Sequence, residues 1–232
     1  AWTVDPDAAQ AGIYPASHLP QLRRNDYVQH SNDSAWMVNP QAPLSGFSPL
    51  ISQDGQPLGP RARFALQRLS QPGTLGVSDL QGMVMDNRVY LAGQVMPDLL
   101  HVCQTEHQAP QVAVCASLKA WDQHANLDSG IGLLHFEHLM ARLLEVPDVW
   151  RVPFSAHDPQ HTPRGLNIDQ PAVRQAVHEA LKASAAQVAE AGLSADMTWG
   201  EILFFLMIRR PPRSTLFPFN AIEQRVFYLT SN

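Results

Sequence analysis

The side chains best placed to do chemistry lie in one line, Asp26-Tyr27-Val28-Gln29-His30-Ser31-Asn32-Asp33-Ser34-Ala35-Trp36. Its pattern predicts a short β run entering a polar Asn-Asp-Ser bend. The Pro- and Gly-rich stretch from Asn39 to Pro49 follows. An amide at the end of such a run can donate a hydrogen bond to a group outside the backbone ladder. The same residues also read as an Asx-type turn that satisfies local backbone groups, and Asn32-Asp33-Ser34 is an N-glycosylation sequon. The bend alone leaves these readings open.

Other constellations carry less. His135-Phe136-Glu137-His138 offers imidazoles and a carboxylate, but on one helix the two histidines supply only two of a metal's ligands. Solvated or capping histidines are the expectation there. Gly46-Phe47-Ser48-Pro49-Leu50 lacks the second glycine of a nucleophile elbow. No spacing supports a Ser–His–Asp triad, and no glycine-rich phosphate loop is present.

The elements that must position these residues change along the chain. Residues 1–70 read as loops and short strands, with helix from 61 to 70. Residues 71–201 read as mostly helical, with Ser78 and Gln81 as a capping box and Arg88 to Gly93 continuing that helix. Pro97 is expected in the first turn of the next helix, over Asp98 to Cys103. Helices through Val112 to Trp121 and Leu133 to Leu144 follow. Residues 147–167 are expected to be irregular. The clearest helix begins at Pro171, buries Val173, Val177, Ala180, Leu181, Ser184 and Val188 on one stripe, and ends at Gly192. Trp121, Trp150 and Trp199 are expected in the core. The fold class is therefore α+β, mostly α.

The chain has 232 residues, of which 45% are apolar, enough for a sizeable core. A net charge of −5 gives no general basic surface for nucleic acid. The longest apolar run, Ile202 to Ile208, falls far short of a membrane span. Cys103 and Cys115 can form a bridge in an exported protein or remain buried thiols in a cytosolic one.

Taken together, the line from Asp26 to Trp36, Pro60-Arg61-Ala62-Arg63, Ala116 to Asp122, Asn126 to Ser129, Thr162 to Leu166 and Thr198-Trp199-Gly200 resemble the penicillin acylase family of N-terminal nucleophile hydrolases. Within it they are most similar to the acyl-homoserine lactone acylases. The resemblance implies part of the β subunit of an αββα fold. It implies hydrolysis of a linear acyl amide, such as an acyl-homoserine lactone or a penicillin, by an N-terminal Ser that this chain does not contain. Asn32 matches the family's oxyanion donor. Arg63, with Arg61 as second choice, matches an Arg that positions the site. Trp36, Leu44 and Phe47 either line an apolar acyl pocket near Asn32 or serve ordinary loop packing.

The implied partners are a small acyl amide substrate, the α subunit and the rest of the β subunit, with no nucleic acid and no membrane. No cofactor is implied. Some family members bind calcium, but no ligand for it can be matched here. The implied location is periplasmic or secreted, and the chain alone is expected to be silent. Residues 202–232 are expected to be non-native, because Phe204 to Phe217 is similar to a translated sequencing-adaptor tract. The competing expectation is a non-catalytic helical binding module.

Overall fold

The computed structural model describes residues 5–71 and 73–208. They are mostly helical with one small sheet, an α+β arrangement. They form two compact units. The first comprises the described residues up to Gly73 together with Phe154–Thr162; the second comprises Thr74–Pro153 and the described residues from Pro163 onward.

The first unit is largely irregular, with 3-10 turns at Ala16–His18 and Ala35–Met37 and one helix, α1 (Pro60–Leu69). Proline suits the first position of α1, because the N–H it lacks would have no partner there. Ala62 and Leu66 are fully buried on one face of α1 and pack with Trp36, Met37 and Leu58. The β run expected before Asn32 does not form. Gln29 N–H donates to the Val38 carbonyl at 3.0 Å, but no ladder continues from it. Instead the buried Asn39 donates through Nδ2 to the Tyr27 carbonyl at 2.9 Å and accepts from Gln41 N–H at 2.9 Å. A side chain thus takes the place of a partner strand.

The second unit contains α2 (Val77–Met85), α3 (Tyr90–Cys103), α4 (Ala109–Ala120), α5 (Gly132–Leu143), β1 (Trp150–Val152), β2 (Arg164–Leu166), α6 (Pro171–Ala191) and α7 (Trp199–Ile208). Its core is built from α3, α4, α5 and α6. The α6 stripe is buried as expected, and Gly192 closes the helix in the left-handed conformation, φ 69°. Gly132 lets α5 approach α4: a Cβ there would stand 2.4 Å from the Ser117 carbonyl oxygen. Trp121 and Trp199 are core residues, whereas Trp150 is half-buried. Cys103 and Cys115 form a disulfide that ties the end of α3 to α4.

Several expectations are corrected. The start of α2 is capped by Asp79, whose Oδ2 accepts the Gly76 N–H at 2.7 Å, and not by Ser78 with Gln81. Arg88 to Gly93 does not continue α2. Asn87 is left-handed, φ 49°, and Val89 N–H turns away to the Gln123 carbonyl at 2.9 Å. Pro97 lies inside α3 rather than at a helix start. It is tolerated because both it and Gly93, whose carbonyl it leaves without an N–H, are exposed to water.

Residues 147–167 are not wholly irregular. β1 and β2 pair antiparallel, Trp150 with Leu166 and Val152 with Arg164. The buried Asp98 of α3 holds this hairpin, accepting from Arg151 Nη2 at 3.0 Å and Leu166 N–H at 2.8 Å. Helix α7 runs across the boundary expected at residue 202, and Ile202 is fully buried. Residues 209–232 lie outside the described part.

Candidate active site

The bend at Ser31–Ser34 sits in the first unit. Asn32 is exposed and left-handed, φ 63°, a conformation that asparagine tolerates better than most residues. Its Oδ1 accepts from Arg61 Nη2 at 3.0 Å, and the same Nη2 donates to the Ser31 carbonyl at 3.1 Å. Fixing the amide by its oxygen assigns its two ends. The NH2 group has no partner among the described residues and remains available to an outside acceptor.

The residues after Asn32 anchor the bend at both sides. Asp33 Oδ2 accepts the Gly59 N–H at 3.1 Å, at the start of α1. Ser34 Oγ donates to the Gln53 carbonyl at 2.6 Å and accepts from Trp36 N–H at 3.3 Å. Ser52, itself buried, completes the set at 2.8 Å from Ser34 Oγ.

Of the two candidate arginines, Arg61 makes the bond to Asn32. Arg63 is buried and donates through Nε to the Gln160 carbonyl at 3.1 Å. Trp36 lies in the small core with Leu58, Ala62 and Leu66, so its ring packs inside the unit. Phe47 is half-buried in a loop whose Gly46 N–H donates to Asp54 Oδ2 at 2.7 Å. The anchoring role of Asp33 carries little signal in the sequence beyond an acid directly after the candidate Asn.

His135 and His138 are neither solvated nor capping. Both turn their Nδ1 to Ser184 Oγ of α6, at 2.8 and 3.2 Å. Burial pushes both imidazoles down to about 4; His138 adds to the effect at His135, and Arg142 at His138. Glu137, on the same turn, is buried with Oε1 lacking a partner among the described residues, and burial pushes its carboxyl up to about 8. Among the described residues, no three His, Cys, Asp or Glu side chains converge to hold a metal ion. Among those residues, no helix is long and apolar enough to cross a membrane.

The penicillin amidase family model matches residues 1–225. The chain belongs to the penicillin amidase family. Within this family it is 61% identical over 205 residues to the acyl-homoserine lactone acylase PvdQ of Pseudomonas fluorescens, covering 87% of this chain and 26% of that protein. It is 58% identical over 207 residues to the PvdQ acylase of Pseudomonas syringae pv. tomato, covering 87% and 27%. A more distant member, the aculeacin-A acylase of Actinoplanes utahensis, is 33% identical over 201 residues, covering 79% and 25%. The chain thus spans about a quarter of the length of the curated relatives it matches. These relatives are acylases, and they are named for acyl-homoserine lactones and for aculeacin A.

Proposed function

We propose that this chain is a segment of an amide-hydrolysing acylase in which Asn32 donates to the oxyanion. The observation that carries the reading is the bond from Arg61 to Asn32 Oδ1, which leaves the amide NH2 facing outward. In this reading a Ser hydroxyl from outside the chain attacks the amide carbonyl, and the α-amine of that Ser takes its proton. The carbonyl oxygen becomes an oxyanion held by Asn32 NH2 and a backbone N–H. The C–N bond breaks, the amine leaves with a proton, and water hydrolyses the acyl-enzyme.

The substrate class is a linear amide joining an apolar acyl chain to a polar head, in keeping with the names of the relatives. The whole enzyme would complete the αββα architecture with the α subunit and the rest of the β subunit. The Cys103–Cys115 disulfide supports an oxidising location, periplasmic or secreted.

The test is a chimera. The matched segment of the Pseudomonas fluorescens acylase is replaced by that of this chain, and hydrolysis of an N-acyl homoserine lactone is followed. The chimera should turn over, and Asn32→Ala should lower kcat by about 10²–10³ with little change in KM. An Asn32→Ala chimera as fast as its parent would end the reading.

A further inference from the structure

We propose that Asp33 is a positioning residue: its bond to the Gly59 N–H sets the bend so that Arg61 meets the Asn32 amide. This rests on the reading of Asn32 as the oxyanion donor.

Two links join the bend to α1. Asp33 bonds to Gly59, and Asn32, one residue earlier, bonds to Arg61, two residues later. The first link is short and stiff, a carboxylate on a backbone N–H. The second runs through a long, flexible guanidinium side chain. Alone, Arg61 could follow Asn32 through a range of positions, because its side chain has several rotatable bonds. The Asp33 link removes that freedom by fixing the backbone on which Asn32 stands.

One further observation agrees. Gly59 is the N-cap of α1, where the helix dipole favours a negative group. Asp33 thus stands behind the reacting atoms and acts through Asn32.

The test uses Asp33→Ala and Asp33→Asn in the chimera described above, with Asn32→Ala as reference. A displaced oxyanion donor costs turnover more than binding, so Asp33→Ala should lower kcat by about 10- to 100-fold and leave KM within about twofold. Asp33→Asn keeps an oxygen that can accept the Gly59 N–H, and should stay within about threefold of the parent. An Asp33→Ala chimera with parental kcat overturns the proposal, and so does an equal loss in both Asp33 variants. Should Asn32→Ala keep the parental rate, the oxyanion reading itself falls. Loss in Asn32→Ala alone would overturn only the role of Asp33.

A second measurement needs no activity. In the 232-residue chain, the side-chain NH2 resonances of Asn32 are assigned by 15N NMR. With Asp33→Ala they should move to random-coil positions, and with Asp33→Asn they should stay. Unchanged resonances in Asp33→Ala overturn the proposal even if the chimera carrying it fails to mature.

Discussion

Arg61 holds Asn32 by its oxygen, at 3.0 Å, and so decides which end of that amide faces outward. Arg63, two positions along the same helix, is buried against the Gln160 carbonyl. The two arginines should therefore fail differently. In the chimera, Arg61→Ala should reduce kcat by about 10- to 100-fold with a nearly unchanged melting temperature. Arg63→Ala removes a buried side chain and the donor to the part-buried Gln160 carbonyl, and should cost about 1–3 kcal/mol of stability. Turnover and thermal denaturation of both variants separate the roles. The assignment fails if Arg61→Ala melts early while Arg63→Ala loses only rate.

Stability should depend on pH with opposite slopes on the two sides of neutrality. Glu137 is raised from 4.5 to about 8 by burial. Between those values the unfolded chain has released a proton that the native state keeps, so stability falls as pH rises toward 8. His135 and His138 are lowered from 6.5 to about 4, chiefly by burial. Between those values the unfolded chain takes up protons that the native state refuses, so stability falls as pH drops toward 4. The two histidines outweigh the one carboxyl where the windows overlap, which puts the maximum at about pH 6–7. Urea denaturation from pH 4 to 9 reads the dome. Glu137→Gln should abolish the fall on the alkaline side and steepen the rise on the acid side, where the windows overlap.

Reducing the Cys103–Cys115 bond should loosen the second unit. The bridge spans a sequence separation of 12. Closing a loop of that size lowers the entropy of the unfolded chain by an amount worth about 3 kcal/mol. The urea midpoint should drop accordingly in dithiothreitol, and Cys103→Ser should give the same curve with or without reductant. An unchanged midpoint would show that the cross-link adds no constraint the packed helices lack.

Helix α2 should drive self-association. None of its residues is buried, and Val77, Leu80 and Val84 form an exposed apolar stripe, with Val77 74% and Val84 69% exposed. A nine-residue helix has little stability of its own in water, and an amphipathic one normally buries its apolar face. Sedimentation of the chain at rising concentration should show oligomers. Replacing all three residues by Glu should keep it monomeric while changing stability by no more than about 0.5 kcal/mol per site, as expected of exposed positions. Oligomers that persist in the triple variant would put the sticky surface elsewhere.

What was legible in the sequence was what local periodicity encodes. The α6 stripe and its Gly192 stop were readable because spacing of 3.6 and a left-handed glycine are both local signals. The break after Met85 was not, because it depends on Asn87 and Val89 pairing with Gln123 and Ala125, far along the chain. Pro97 misled because its tolerance depends on Gly93 facing water. The histidines of α5 looked solvated until Ser184 arrived from α6 to bond both. At the candidate site, Asn32 stood out from its neighbours. The sequence favours Arg63 over Arg61, whereas it is Arg61 that meets Asn32, because the pairing turns on which face of α1 the bend docks against. That docking is set by Asp33 and Gly59, 26 residues apart.

The first unit is finished by Phe154–Thr162, a segment that the chain supplies only after most of the second unit has been made. On a ribosome this imposes an order. Roughly 80 residues separate Gly73 from that segment, and at about 5–20 residues per second they take roughly 4–16 seconds to synthesise. Until then Arg63 has no Gln160 carbonyl to meet, and α1 has yet to gain that contact. The scaffold that presents Asn32 is thus completed only well after Asn32 itself has been synthesised.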